Sequence, residues 1–383
     1  MTGDIDSEAL SMIYALLDDP IFADSRIRIM PDVHAGKGIV IGFTCPVSSA
    51  VSPSHVGVDI GCGIDLELFD RPLSPSDYAL FEHRLRRDVP TGNDLREKRT
   101  FEMKTFLRFL RSEYASAVQG AHGLVGELDL EREADLERWL RGIGMDTATF
   151  YKSLGTLGGG NHFMEYDEGE GRYAFTVHTG SRALGMKVFA KWDNLARKNP
   201  NHPGYLEGED MRGYLADMVL SQAYAKFNRT LILEEAAAII HKITKASVTD
   251  MIRTTHNYVD FSDMILRKGA IRSYSGERMV IPFNMRDGLA VCEGLSNAQW
   301  NFSAPHGAGR RLSRAAAKRE LDMEEFRLQM KDVFSTSVAQ STLDEAPGAY
   351  KDSETILSSL AETGKVLYRM WPKVNVKATK WKG

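Results

Sequence analysis

The sequence predicts one α+β domain, a single mixed unit spanning 1–383. Segments with a helical apolar period are interleaved with short runs rich in β-branched residues. No long linker, internal repeat or low-complexity tract divides them. The residues with the strongest chemical character scatter from 59 to 306, so they converge only if the middle of the chain folds around them. With 383 residues, 43% of them apolar, the chain can bury a sizeable core.

In chain order, residues 7–18 read as a short amphipathic helix. RIRIM (26–30), GIVIGF (38–43) and VGVDI (56–60) read as strands joined by Gly/Pro turns. Segments 74–87, 101–119 and 131–142 set charges on one face and Leu, Phe or Trp on the other, so all three are expected to be helical. His122 is the one candidate ligand in this stretch, so 74–145 reads as a helical insertion or cap. Strands return at 162–166 and 173–178. A long helix follows over 208–242, with Met218, Leu220, Ala223 and Phe227 on its apolar side. Residues 261–265, 270–274, 278–282 and 288–293 alternate like strands. A helix at 321–331, a helix at 353–363 and a strand at 365–371 complete the pattern, which leaves the strand order open.

The net charge of −4 carries no global nucleic-acid signature, though a local basic groove stays compatible with it. Arg84, Arg86 and Arg87, like Lys104, Arg108 and Arg111, read as solvated helix faces. The run Arg310, Arg311, Arg314, Lys318 and Arg319 differs because it adjoins a candidate site. Cys45, Cys62 and Cys292 form no CxxC pair, which suits a reducing compartment without disulfides. The first residues are acidic and no stretch approaches a membrane span, so a cytoplasmic location is expected.

The chemistry concentrates in turns of small residues. Cys62 sits in VGVDIGCGI with Asp59 three positions before it. His162 lies in GGGNHF, His178 in HTGSR, His256 in HNY and His306 in SAPHGAGR. His83, His122, His202 and His241 fit surface or polar-loop roles. His55 could support the Cys62 segment, and His34, beside Asp32 and Lys37, could touch a substrate or shape a turn. A thiolate with imidazoles is a transition-metal set, and a carboxylate widens the choice of ion. A cysteine sulfur can bridge two ions, and with Asp59 and three histidines it would form a two-metal centre able to hold a phosphate. Ligand softness alone favours Zn²⁺ over Mn²⁺. In HGAGR, small residues let backbone N–H groups approach a phosphate, Arg310 supplies charge and a neutral His306 could attack phosphorus. A fourth metal ligand or a tight turn is the plainer reading of His306. GTLGGGNHF resembles a phosphate loop but lacks the Lys-Ser/Thr ending.

Taken together, MPDVHAGKG, VGVDIGCG, GTLGGGNHF, HTGSR, HNY, HGAGR and EAPGAYKD resemble, in this order, the RtcB family of RNA-splicing ligases. The resemblance implies two Mn²⁺ ions on Asp59, Cys62, His162, His178 and His256, with Cys62 shared. It implies GTP as the nucleotide and His306 as the nucleophile that takes its GMP. Asn161, Glu165, Asn257, Pro282, Asn284, Met285, Gly307, Ala308, Tyr350 and Lys382 match nucleotide-binding positions, Glu165 reading the guanine edge. Arg182 and Arg310 match phosphate positions. The implied substrates are RNA 3′-phosphate or 2′,3′-cyclic phosphate ends and 5′-hydroxyl ends, joined in RNA repair or tRNA splicing, with an archease-type activator as a partner.

One departure stands out: PFNMRDG (282–288) replaces the family's PGSMG, which places Phe283, Asn284 and Arg286 in a loop that lines the guanylate pocket. It points to a divergent branch with its own RNA substrate. Two other functions compete with ligation. A metal-dependent cyclic phosphodiesterase would need no His306 or Lys382, and a non-catalytic RNA-binding paralogue would not need an intact ligand set.

Overall fold

The structure, a computed structural model, describes residues 5–379. The first part of the chain runs through α1 (Ser7–Leu17), β1 (Arg28–His34), β2 (Ile41–Pro46), β3 (Ala50–Val51), α2 (Pro53–Val56) and β4 (Gly63–Phe69). Four helices follow: α3 (Tyr78–Asp88), α4 (Met103–Gly120), α5 (Glu133–Gly142) and α6 (Thr147–Lys152). Next come β5 (Phe163–Gly169), β6 (Arg172–Thr179), α7 (Arg182–Ala196), β7 (Leu206–Glu207) and α8 (Gly208–Thr244). The strands β8 (Val248–Thr255), β9 (Asn257–Asp260), β10 (Ile265–Lys268), β11 (Ala270–Arg272), β12 (Arg278–Pro282), β13 (Leu289–Gly294) and β14 (Ser303–Pro305) then alternate with tight turns. Helices α9 (Arg314–Glu320), α10 (Met323–Gln329) and α11 (Ser353–Ser359) precede the long strand β15 (Gly364–Val376).

A seven-stranded sheet with the order β12-β13-β15-β5-β6-β4-β8 organises the molecule, and all its pairings are antiparallel. The sheet curls until its ends meet, where the Val280 amide donates to Thr254 Oγ1 at 2.9 Å. Ile64, Leu66, Ala174, Ile252, Val280, Leu289, Val291 and Met370 fill the inside of the curl. A second sheet, β1-β2-β10-β9, flanks it.

Helix α8, 37 residues long, buries residues on several faces because it is covered on several sides. It packs on α4, α7 and α3, and against β4 and β6. The helices of 74–145 share these cores. Phe81 and Leu85 of α3 join Tyr166, Phe175 and Ile239, while Phe106 of α4 lies 4.9 Å from the Phe227 ring of α8.

Two expected strands are corrected. VGVDI alternates like a strand, but Pro53 opens a helical turn, and Gly57 and Gly61 take φ of +82° and +72°, so the chain turns until Gly63. Residues 261–264 form a turn, and the strand starts at Ile265. The predicted 26–30 and 38–43 strands begin two and three residues further on, at Arg28–His34 and Ile41–Pro46.

Candidate active site

Sheet register gathers the candidate metal donors. Gly63, next to Cys62, pairs with Thr179 on one side and Thr255 on the other. Cys62 is therefore opposite His256, the residue after Thr255, whose amide donates to its carbonyl, while His178, the register partner of Ile64, reaches the same thiol through its side chain. Phe163 pairs with His178 in turn, which brings in His162.

The Cys62 thiol lies 3.4 Å from His162 Nε2 and 3.2 Å from His178 Nε2. His162 Nε2 is 2.8 Å from Asp59 Oδ2, and the Nε2 atoms of His178 and His256 face each other at 3.3 Å. Two overlapping triads result, Asp59-Cys62-His162 and Cys62-His178-His256, each with its donor atoms within 4.8 Å of one another. Burial pushes the Cys62 thiol well above its ordinary pKa, with Asp59 adding to the effect. Burial likewise pushes His178 and His256 well below theirs. Burial would also raise the Asp59 carboxyl, but His162, Cys62 and His178 together hold it well below the carboxylate range. Facing imidazole nitrogens around a buried thiol fit a cation between them, which favours thiolate and neutral imidazole alike.

One turn of α8 holds the loops in place. Asn228 Oδ1 accepts from the amides of Gly155 and Thr156 at 2.7 and 3.1 Å, and its Nδ2 donates to the carbonyls of Thr156 and Gly180. Arg229, fully buried, donates to the carbonyls of Gly61 and Thr179 at 2.9 and 3.1 Å and to Asp65 Oδ1 at 2.8 Å. Three donor-bearing loops are thus tied to adjacent residues of one helix. Small residues complete the fit: a Cβ on Gly180 would lie 2.0 Å from Asp59 Oδ1.

A cavity with about 900 Å³ of space free of protein atoms, its mouth included, opens beside these donors. His178, His256 and His306 border it, and the rings of His256 and His306 are 5.0 Å apart. His306 Nδ1 donates to Asp32 Oδ2 at 2.6 Å, and the same oxygen accepts from the His306 amide at 3.2 Å. That bond leaves Nε2 of a neutral ring as the nitrogen with a free lone pair.

Asn161, Glu165, Pro282, Asn284, Met285, Gly307, Ala308, Arg310 and Tyr350 line the same cavity. Asn257 does not; its side chain accepts from the Gly269 amide. Arg182 lies beside Gly158 on the His162 side, bonded to Thr156 Oγ1 and the Gly92 carbonyl. Arg310 is engaged by Glu345, the Asp344 and Leu312 carbonyls and the Tyr350 hydroxyl. Lys382 lies outside the described residues. Phe283 is buried on the cavity wall, whereas Arg286 is exposed and paired with Asp287. His34 borders the cavity and is lowered to about 4 by burial. His55 belongs to a separate aromatic cluster with Phe22, Phe43 and Tyr205.

Sequence reading missed the roles of Asp32, Asn375, Lys377 and Glu345. Lys377 Nζ sits 2.8 Å from Glu345 Oε2, and Asn375 Nδ2 donates to Glu165. Burial would raise the Glu345 carboxyl, but Lys377, Arg314 and Arg310 together hold it well below its ordinary range. Only sheet register could have signalled Asn375, which pairs with Glu165.

The family model described as "tRNA-splicing ligase RtcB" matches residues 20–378, so the chain belongs to the RtcB family. The RNA-splicing ligase RtcB of Escherichia coli (strain K12) is 30% identical over 389 residues, covering 93% of this chain and 91% of that protein. The RNA-splicing ligase RtcB of Mycobacterium tuberculosis (strain ATCC 25618 / H37Rv) is 28% identical, covering 88% of this chain and 92% of that protein. The tRNA-splicing ligase RtcB of Thermococcus kodakarensis is 27% identical, covering 90% and 86%. Among the described residues no helix is long and apolar enough to cross a membrane.

Proposed function

We propose that this RNA ligase joins RNA 3′-phosphate or 2′,3′-cyclic phosphate ends to 5′-hydroxyl ends, with GTP as the energy source and two Mn²⁺ ions as cofactors. The observation that carries the reading is His306, fixed through Nδ1 by Asp32 and set beside the donor cluster on the wall of one cavity. Asp59, Cys62, His162, His178 and His256 would hold the ions. Once bound, the ions would neutralise charge on the phosphate oxygens during displacement.

His306 Nε2 attacks the α-phosphorus of GTP, a P–N bond forms, and pyrophosphate leaves. An oxygen of the RNA 3′-phosphate then attacks the same phosphorus, which frees His306 and links the RNA end to GMP. The 5′-hydroxyl attacks the RNA phosphorus and GMP departs with the bridging oxygen. A cyclic phosphate is first opened by water. Asp32 keeps the attacking nitrogen free of its proton, Glu165 reads the guanine edge, and Asn161, Tyr350 and the 282–285 loop enclose the nucleotide. Lys382 would add a guanylate contact.

Incubation with α-labelled GTP and Mn²⁺, with and without an archease-type activator, tests the reading. Acid-labile label on the wild type and none on His306→Ala is expected. Label of equal yield on His306→Ala would overturn it.

A further inference from the structure

Glu165 and Asp167 stand two residues apart on β5 and so share a face, with relative exposures of 3% and 0%. Neither forms a salt bridge among the described residues. Glu165 accepts from Asn375 Nδ2, and Asp167 Oδ2 accepts from Thr176 Oγ1 at 2.7 Å. The second Asp167 oxygen, Oδ1, is buried with no N–H or hydroxyl donor on it, and the carboxyl that Asp167 faces is that of Glu165. Lys377 is the cation facing Glu165, but its ammonium is bound to Glu345, which also holds Arg310 and Arg314. Thr176 on β6 and Asn375 on β15, the register partners of Glu165 on either side, are neutral. Two dry carboxyls without a cation of their own do not both ionise.

We propose that Asp167 is a specificity-determining residue that shares one proton with Glu165, and so sets whether the carboxyl lining the nucleotide cavity meets a purine as an acid or as a carboxylate. This rests on Glu165 reading the base. Burial first, then Asp167, pushes Glu165 well above its ordinary pKa, and burial raises Asp167 to about 6. A carboxylate accepts from N1–H and the 2-amino group of guanine and repels the N1 lone pair of adenine. A carboxylic acid can donate to adenine N1 while accepting from its 6-amino group. The shared proton therefore blunts discrimination, and moving it to Asp167 sharpens it.

Calorimetric titration of the metal-loaded full chain with GMP and with AMP, from pH 5.5 to 9, gives the ratio of the two affinities. In the wild type the preference for GMP should grow as the pH rises. In Asp167→Asn the like charge is gone, and the rise should move to lower pH by about a unit or more. Thr176→Val, which withdraws the donor that favours the Asp167 carboxylate, should move it the same way by less, and serves if Asp167→Asn does not fold. An unchanged profile in the folded variants overturns the proposal. A Glu165→Gln variant with the wild-type ratio would instead overturn the reading of Glu165 on which it rests.

Discussion

Replacing Asp32 by Asn removes a charge while keeping the size and shape of the side chain. Asp32 is completely buried and holds His306 through a 2.6 Å bond to Nδ1 and a 3.2 Å bond to the backbone amide. A hydrogen bond to a charged group contributes about 1.5–3 kcal/mol, or roughly 10- to 150-fold in rate if it is lost in the transition state. The tautomer adds to this. An Asn amide can present its NH₂ to Nδ1, which moves the ring proton to Nε2 and blocks attack, a loss on the order of 10⁴-fold in the analogous triad case. We expect nucleotide transfer to His306 to slow by about 10²- to 10⁴-fold, with GTP affinity little changed. Single-turnover labelling at saturating GTP measures the rate, and a thermal melt checks the fold. A drop below about threefold in a folded variant would show that Asp32 neither orients the ring nor sets its tautomer.

Gly180→Ala places a methyl group 2.0 Å from Asp59 Oδ1, so it should weaken Mn²⁺ binding by about 10- to 100-fold, read from free-ion EPR during titration. Arg229→Met leaves the carbonyls of Gly61 and Thr179 unpartnered and strips Asp65 of one of its two guanidinium contacts. It should cost about 3–5 kcal/mol in urea unfolding. His55 is buried and lowered to about 4 by burial, so the unfolded chain binds more protons and stability falls as pH drops from about 6.5 toward 4. Between pH 7 and 4.5, His55→Phe should lose about 2–3 kcal/mol less stability than wild type, and equal losses would refute the assignment.

The legible parts of the fold are those whose local pattern and final environment agree. Helices α4, α5 and α8 and strands β5, β6, β12 and β13 fall within a few residues of their predicted spans. VGVDI misled because alternation is a side-chain signal, whereas Pro53 and two positive-φ glycines set the backbone. Helix α7 escaped notice because Gly185 interrupts its pattern. A Cβ there would come within 2.5 Å of the Val58 carbonyl, so close packing demands a residue that weakens the helical signal. Strand β8 turns an exposed, polar face outward and carries little apolar alternation. In the site, Cys and His in turns of small residues announce themselves by type. Asp32, Asn375 and Glu345 are ordinary polar residues that gain meaning only from partners far along the chain, such as Glu165 for Asn375, 210 positions away.

The place of β15 has a consequence for how the protein is made. Six of the seven strands are synthesised before it, yet it lies between β13 and β5. Until it leaves the ribosome, β12-β13 and β5-β6-β4-β8 can touch where β12 meets β8, but the edges of β13 and β5 that face β15 stay unpaired. Those edges are adhesive, and translation at about 5–20 residues per second leaves them bare for many seconds. The donor cluster, which β5, β6, β4 and β8 assemble with α8, can therefore take shape before the wall that carries Asn375 and Lys377 exists. The nascent chain would then hold a metal-type donor cluster before its cavity wall is complete, while two sheet edges stay open to pairing.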